Sequence, residues 1–137
     1  MSKQMIKNMI AALLLNILSF ICFLMTKDHL NIVQFMLFIV GPVVISIALC
    51  FILNKGHGII SNKKITLIMI YFLMNAIFYV GIALVLRDLQ IVTHIIAQSQ
   101  FLSSETISID QNSNYGLSIV IFLSCSFFGH KMVVDRL

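Results

Sequence analysis

The sequence predicts an all-α membrane protein, a bundle of four transmembrane helices, and three features point there. Apolar residues make up 60% of the 137 and charged residues only 10%, whereas a soluble domain usually carries about 25% charge to solvate its surface. Mean hydropathy is +1.04. The apolar residues also gather into four runs at or near the length of about 20 residues that a helix needs to cross the hydrocarbon of a bilayer.

The first expected span covers 8–26. It follows Lys3 and Lys7 as a signal-peptide core would. It is longer than such a core, and no small-residue cleavage pattern follows, so it is expected to stay as an anchor. The second span covers 31–53. The link between them is so short that the two must form an antiparallel hairpin. A loop holding Gly56, His57 and Gly58 leads to Lys63 and Lys64, and the third span covers 65–86. The next segment, 87–114, is the longest connection. Leu89, Val92, Ile95, Ile96 and Leu102 recur there at roughly helical intervals, which predicts a short amphipathic helix on the outer membrane surface. Leu89, Ile95 and Leu102 are its candidate contacts with the membrane or a partner. Residues 103–114 are polar. The fourth span, 115–134, reaches full length only if Lys131 extends its ammonium to the headgroups.

Lysine and arginine set the expected orientation. With the amino terminus inside, Lys3, Lys7, Lys55, Lys63, Lys64, Lys131 and Arg136 are cytoplasmic, and only Lys27 and Arg87 lie outside. Cytoplasmic loops carry the excess of basic residues in bacterial membrane proteins. Both termini are therefore expected in the cytoplasm and the protein in the cytoplasmic (inner) membrane.

Depth singles out the candidate site. Asn16, Pro42, Asn75 and Ser124 all fall near the middle of their spans. Pro42 lacks an N–H, which frees the carbonyl of Phe38, and lipid offers that carbonyl no donor. An asparagine amide carries two N–H groups, so Asn16 or Asn75 is expected to serve it and tie the helices together at the midplane. In the fourth span Ser118, Cys125 and Gly129 fall on or near one face, and small residues let another helix approach closely. That face is expected to pack within the bundle or to support a homo-oligomer.

What is missing narrows the function. No acidic or basic side chain lies in the central part of any span, although proton-coupled transporters generally need one. The histidines are scattered without the spacing of a helical metal site, and Cys22, Cys50 and Cys125 form no C-x-x-C pair. No catalytic motif or cofactor fingerprint occurs, and no basic stripe with interleaved aromatics suggests nucleic acid. The expectation is a protein that is no enzyme, holds no cofactor or metal, and has the lipid bilayer and another membrane protein as partners. Immunity proteins against pore-forming colicins, which are membrane-inserting toxins, and superinfection-exclusion proteins share this layout of few spans, short loops and basic charge. The likeness is one of architecture, without a shared motif. The alternative is a subunit of an oligomeric channel or small transporter, with Asn16, Pro42 and Asn75 near its pore.

Overall fold

The computed structural model describes residues 2–102 and 115–137. Four of its helices are long and apolar enough to cross a membrane: α1 (Lys3–Thr26), α2 (Ile32–Asn54), α3 (Ser61–Val85) and α5 (Tyr115–Arg136). The short helix α4 (Leu89–Ala97) and a 3-10 turn (Gln100–Leu102) follow α3. The described residues contain no strand. This is the architecture of a multi-pass membrane protein, since only helices or closed barrels satisfy every backbone group within lipid.

The helices start and stop for local reasons. Ser2 caps α1, its hydroxyl oxygen accepting from the Met5 N–H at 3.3 Å. Asn31 caps α2 in a reciprocal box: its side chain accepts from Gln34 N–H, and the Gln34 side chain accepts from Asn31 N–H. Such a box satisfies two orphan donors at once. Past the end of α2, Gly56 takes φ +81°, a left-handed conformation that glycine adopts without a Cβ penalty. Two helices begin earlier than their apolar runs: α1 at Lys3 rather than 8, and α3 at Ser61 rather than 65. The apolar run measures the hydrocarbon stretch, while the hydrogen-bonded ladder continues into the polar flank.

The four long helices form a ring in the order α1, α2, α5, α3, each packing on two neighbours. Both termini and the α2–α3 loop share one end, here called the terminal end. The α1–α2 turn and α4 share the other, the hairpin end. The core has two parts. Phe23, Phe35, Ile39, Phe78 and Ile82 fill the hairpin half, and Ala12, Cys50, Leu67, Tyr71 and Val134 lie in the terminal half.

Helix α4 is a lid on the hairpin end. Its stripe of Ile91, Val92 and Ile95 is buried in the hairpin core. Asp88 caps it through Gln90 N–H at 3.0 Å. Beyond its last turn the buried Ser99 hydroxyl accepts from Ile32 N–H at 2.7 Å, tying the lid to the first turn of α2. The expected shared face of Leu89, Ile95 and Leu102 is therefore corrected. Leu89 is 69% exposed and Ile95 only 4%. Positions six apart lie on different sides of a helix, and the bundle claims the stripe that includes Ile95. Leu102 is exposed in the 3-10 turn, beside Phe101. The polar stretch 103–114 lies outside the described residues.

Candidate functional site

The interior of the terminal half is a ladder of polar side chains, and the four-residue steps of each helix build it. Gln4, Asn8, Ala12 and Asn16 descend one face of α1. Ser46, Cys50 and Asn54 do so on α2, Tyr71 and Asn75 on α3, and Ser126 and His130 on α5. Side chains four apart stack on one helical face, so each set turns inward together. Asn8, Ser46, Asn54, Asn75, Ser126 and His130 are all buried.

Asn75 is the hub of the top rung. Its amide donates to Ser126 Oγ at 2.8 Å and to Ser46 Oγ at 3.2 Å, and its Oδ1 accepts from Asn16 Nδ2 at 3.2 Å. One side chain on α3 thus bonds to α1, α2 and α5. The Ser46 hydroxyl donates on to Val43 O at 2.8 Å. In lipid these groups have no water to fall back on, so mutual pairing is what makes their burial tolerable.

The asparagines of α1 and α2 follow another rule. Asn8, Asn16 and Asn54 each donate one N–H to the carbonyl one turn back, at 2.8, 2.8 and 2.6 Å. The second N–H goes across the bundle. Asn8 and Asn54 exchange hydrogen bonds, Asn8 Nδ2 to Asn54 Oδ1 at 3.1 Å and Asn54 Nδ2 to Asn8 Oδ1 at 2.9 Å. The Tyr71 hydroxyl also donates to Asn8 Oδ1, at 2.8 Å. Gln4 closes the rung, donating to Leu53 O and to Asn54 Oδ1.

Between these rungs lies His130, fully buried, its ring stacked on Tyr71 with centroids 4.7 Å apart. Nδ1 sits 2.7 Å from Ser126 O. A carbonyl only accepts, so Nδ1 carries the proton. Nε2 is buried with no hydrogen-bond partner, and so is Asn16 Oδ1.

The depth coincidence in the sequence is realised only in part. Asn16 and Asn75 meet directly. Ser124 does not join them: it is exposed, and its hydroxyl returns to Val120 O at 2.8 Å. Ser126, two residues on, faces inward instead, because two residues rotate a helix by about 200°. Pro42 and Phe38 lie apart from the amides, about one and two turns nearer the hairpin end than Ser46. The donor at that level is Tyr79, whose hydroxyl reaches Ile39 O at 2.8 Å. Ser46, Ser126, His130, Asn8, Asn54 and Tyr71 were not singled out from the sequence. Their four- and eight-residue spacing within each helix is the signal that marks them.

The three small residues of α5 lie within about 40° of one another around the helix, and their surroundings differ. A Cβ on Gly129 would run into the Ile47 side chain, so Gly129 is where α5 closes on α2. Cys125 is exposed and Ser118 lines an apolar cavity of about 110 Å³ beneath α4. Among the described residues no group of three or more potential ligands is placed to hold a metal.

Fold and interior together define a multi-pass helical membrane protein whose helices are joined by buried amides and hydroxyls. No known protein family, curated protein or solved structure matches the chain.

Proposed function

We propose that this chain is a bacterial inner-membrane protein, with both termini in the cytoplasm, that recognises another membrane protein by lateral helix–helix contact. It is not an enzyme, and it is of the immunity or exclusion type or an accessory subunit. The closed axis supports this reading most. The Asn75 hub joins all four helices at mid-depth, and above it the interior is packed with Phe23, Phe35, Phe78 and Ile82. A path for solute along that axis would have to break the hub and displace the aromatic plug. What such a protein offers to others is its perimeter, which carries exposed aliphatic side chains along every span. The orientation follows from the seven basic residues that gather at the terminal end against Lys27 and Arg87 at the hairpin end.

A second reading, a channel or transporter subunit, draws on the polar ladder, which runs from the terminal end to mid-depth and holds His130. One experiment separates the two. Purified protein in liposomes passes no protons, monovalent ions or small polar solutes above the protein-free background if recognition is its role. Saturable or ion-selective flux from the protein alone sinks the recognition reading. Reporter fusions after Gly58 and at Leu137 read cytoplasmic and one near Gln111 reads external. The opposite pattern overturns the orientation.

A further inference from the structure

A cavity of about 190 Å³ at the terminal end joins the start of α1, the end of α2 and the start of α3. Its inner wall is the lowest rung of the ladder, Asn8 and Asn54, which are 0% and 1% exposed. Both N–H groups of each amide are already committed, so this wall has no donor to spare. The outer side differs. Lys63 and His57 line it and are exposed, with Ser2 beside them. The Ser2 hydroxyl accepts from Met5 N–H and keeps its own hydrogen to donate. Met5, Leu67 and the exposed Ile60 supply apolar surface between these polar groups.

Charge accumulates around this recess without being answered. Lys3 and Lys7 open α1, Lys63 and Lys64 open α3, and the two helices are neighbours in the ring. Among the described residues one acidic side chain lies at this end, Asp135, and Lys131 holds it at 3.2 Å. Lysines at a cytoplasmic flank orient a span, but orientation needs only exposed charge and no recess beside it.

We infer that this cavity binds the phosphate headgroup of one anionic phospholipid from the leaflet at the terminal end, with Lys63 as its main counter-charge. Charge complementarity selects the anion, and basic recesses between transmembrane helices at the cytoplasmic surface suit such headgroups. A choline or ethanolamine headgroup would bring an ammonium that meets Lys63 and finds no free carboxylate among the described residues. The apolar share of the wall selects a lipid over a soluble phosphate. The glycerol end of a lipid covers Met5, Ile60 and Leu67, from which an inorganic anion gains nothing.

The test titrates the full-length protein in maltoside micelles with phosphatidylglycerol and with phosphatidylcholine of the same chains, and native mass spectrometry counts the bound lipid. Glycerol 3-phosphate, which carries the phosphate and glycerol without chains, is the third ligand. Phosphatidylglycerol binds about five-fold more tightly than phosphatidylcholine, the effect of one lysine near the membrane surface. Lys63→Gln removes that preference. Gly58→Leu removes it too: Gly58 lines the cavity and a Cβ there meets nothing within 4 Å, so the leucine fills the space while every lysine stays. Lys55→Gln deletes a charge at the same end but outside the lining, and it keeps the preference. Equal binding of the two lipids overturns the inference. So does a loss with Lys55→Gln as large as with Lys63→Gln, which would mean diffuse surface charge, or a preference that survives Gly58→Leu, which would place the lipid elsewhere. Glycerol 3-phosphate binding as tightly as phosphatidylglycerol would make the ligand a soluble phosphate and overturn the lipid assignment.

Discussion

Replacing Asn75 by leucine removes three hydrogen bonds at once and each connects α3 to a different helix: Asn16 on α1, Ser46 on α2 and Ser126 on α5. One interhelical hydrogen bond in a membrane bundle contributes about 0.6–2 kcal/mol. Three would sum to roughly 2–6 kcal/mol, and because they share a side chain they are not independent. Asn75→Leu is expected to cost about 2–5 kcal/mol. The loss is read from an equilibrium titration with sodium dodecyl sulfate in mixed micelles, followed by tyrosine fluorescence; the chain has three tyrosines and no tryptophan. Ser46→Ala and Ser126→Ala each delete one of the three bonds and should fall between wild type and Asn75→Leu. Ser124→Ala is the control, because that hydroxyl is exposed and bonds only its own helix; it should change stability by less than about 0.5 kcal/mol. If Asn75→Leu costs no more than Ser124→Ala, the hub does not hold the helices together and the closed-axis reasoning fails with it.

Two further substitutions probe the neighbouring contacts in the same titration. Tyr79→Phe removes the hydroxyl that donates to Ile39 O beside Pro42 and should cost about 0.6–2 kcal/mol; no change would mean that this carbonyl is satisfied without Tyr79. Gly129→Leu drives a side chain into Ile47 and should cost about 1–3 kcal/mol by overpacking. Ile47→Ala in the same chain should restore part of that loss, and an additive double variant would place Gly129 away from the α2–α5 contact.

Much of the fold was legible because bilayer thickness imposes one length on every span. The four runs of apolar residues locate α1, α2, α3 and α5, and the helix ends differ mainly where polar flanks such as Lys3 and Ser61 extend the backbone ladder beyond the hydrocarbon. Which side of each helix faces inward was much harder to read. A soluble helix marks its inner face with an apolar stripe, but a span apolar on all sides carries no such mark. Only its polar residues do, and they mislead when taken singly: Ser124 and Ser126 are equally deep, and rotation alone separates them. The asparagines were easier to place, because an amide at mid-depth in lipid must find a partner. Their partner was misjudged by one turn. The sequence offered the carbonyl freed by Pro42, whereas Ser46 and Ser126 lie level with Asn75 and take both of its N–H groups. Helix α4 was legible as an amphipathic element. Its docked side was not, since Ile91, Val92 and Ile95 suit a protein core as well as a bilayer surface.

The reciprocal pairing of Asn8 with Asn54 bears on the order in which the molecule is assembled. Both amides belong to the first hairpin, and their mutual hydrogen bonds need nothing beyond α1 and α2. Ribosomal synthesis delivers that hairpin first, and it can zip its own terminal end before α3 has been made. Asn16 and Ser46, higher in the same hairpin, bond there only within their own helices, to Ala12 O and Val43 O, because their cross-bundle partner is Asn75. The first hairpin alone is therefore tied across its terminal end and has no polar link between its helices at the middle rung. The third helix to arrive brings the one side chain that answers both, and it is also the side chain that then receives α5.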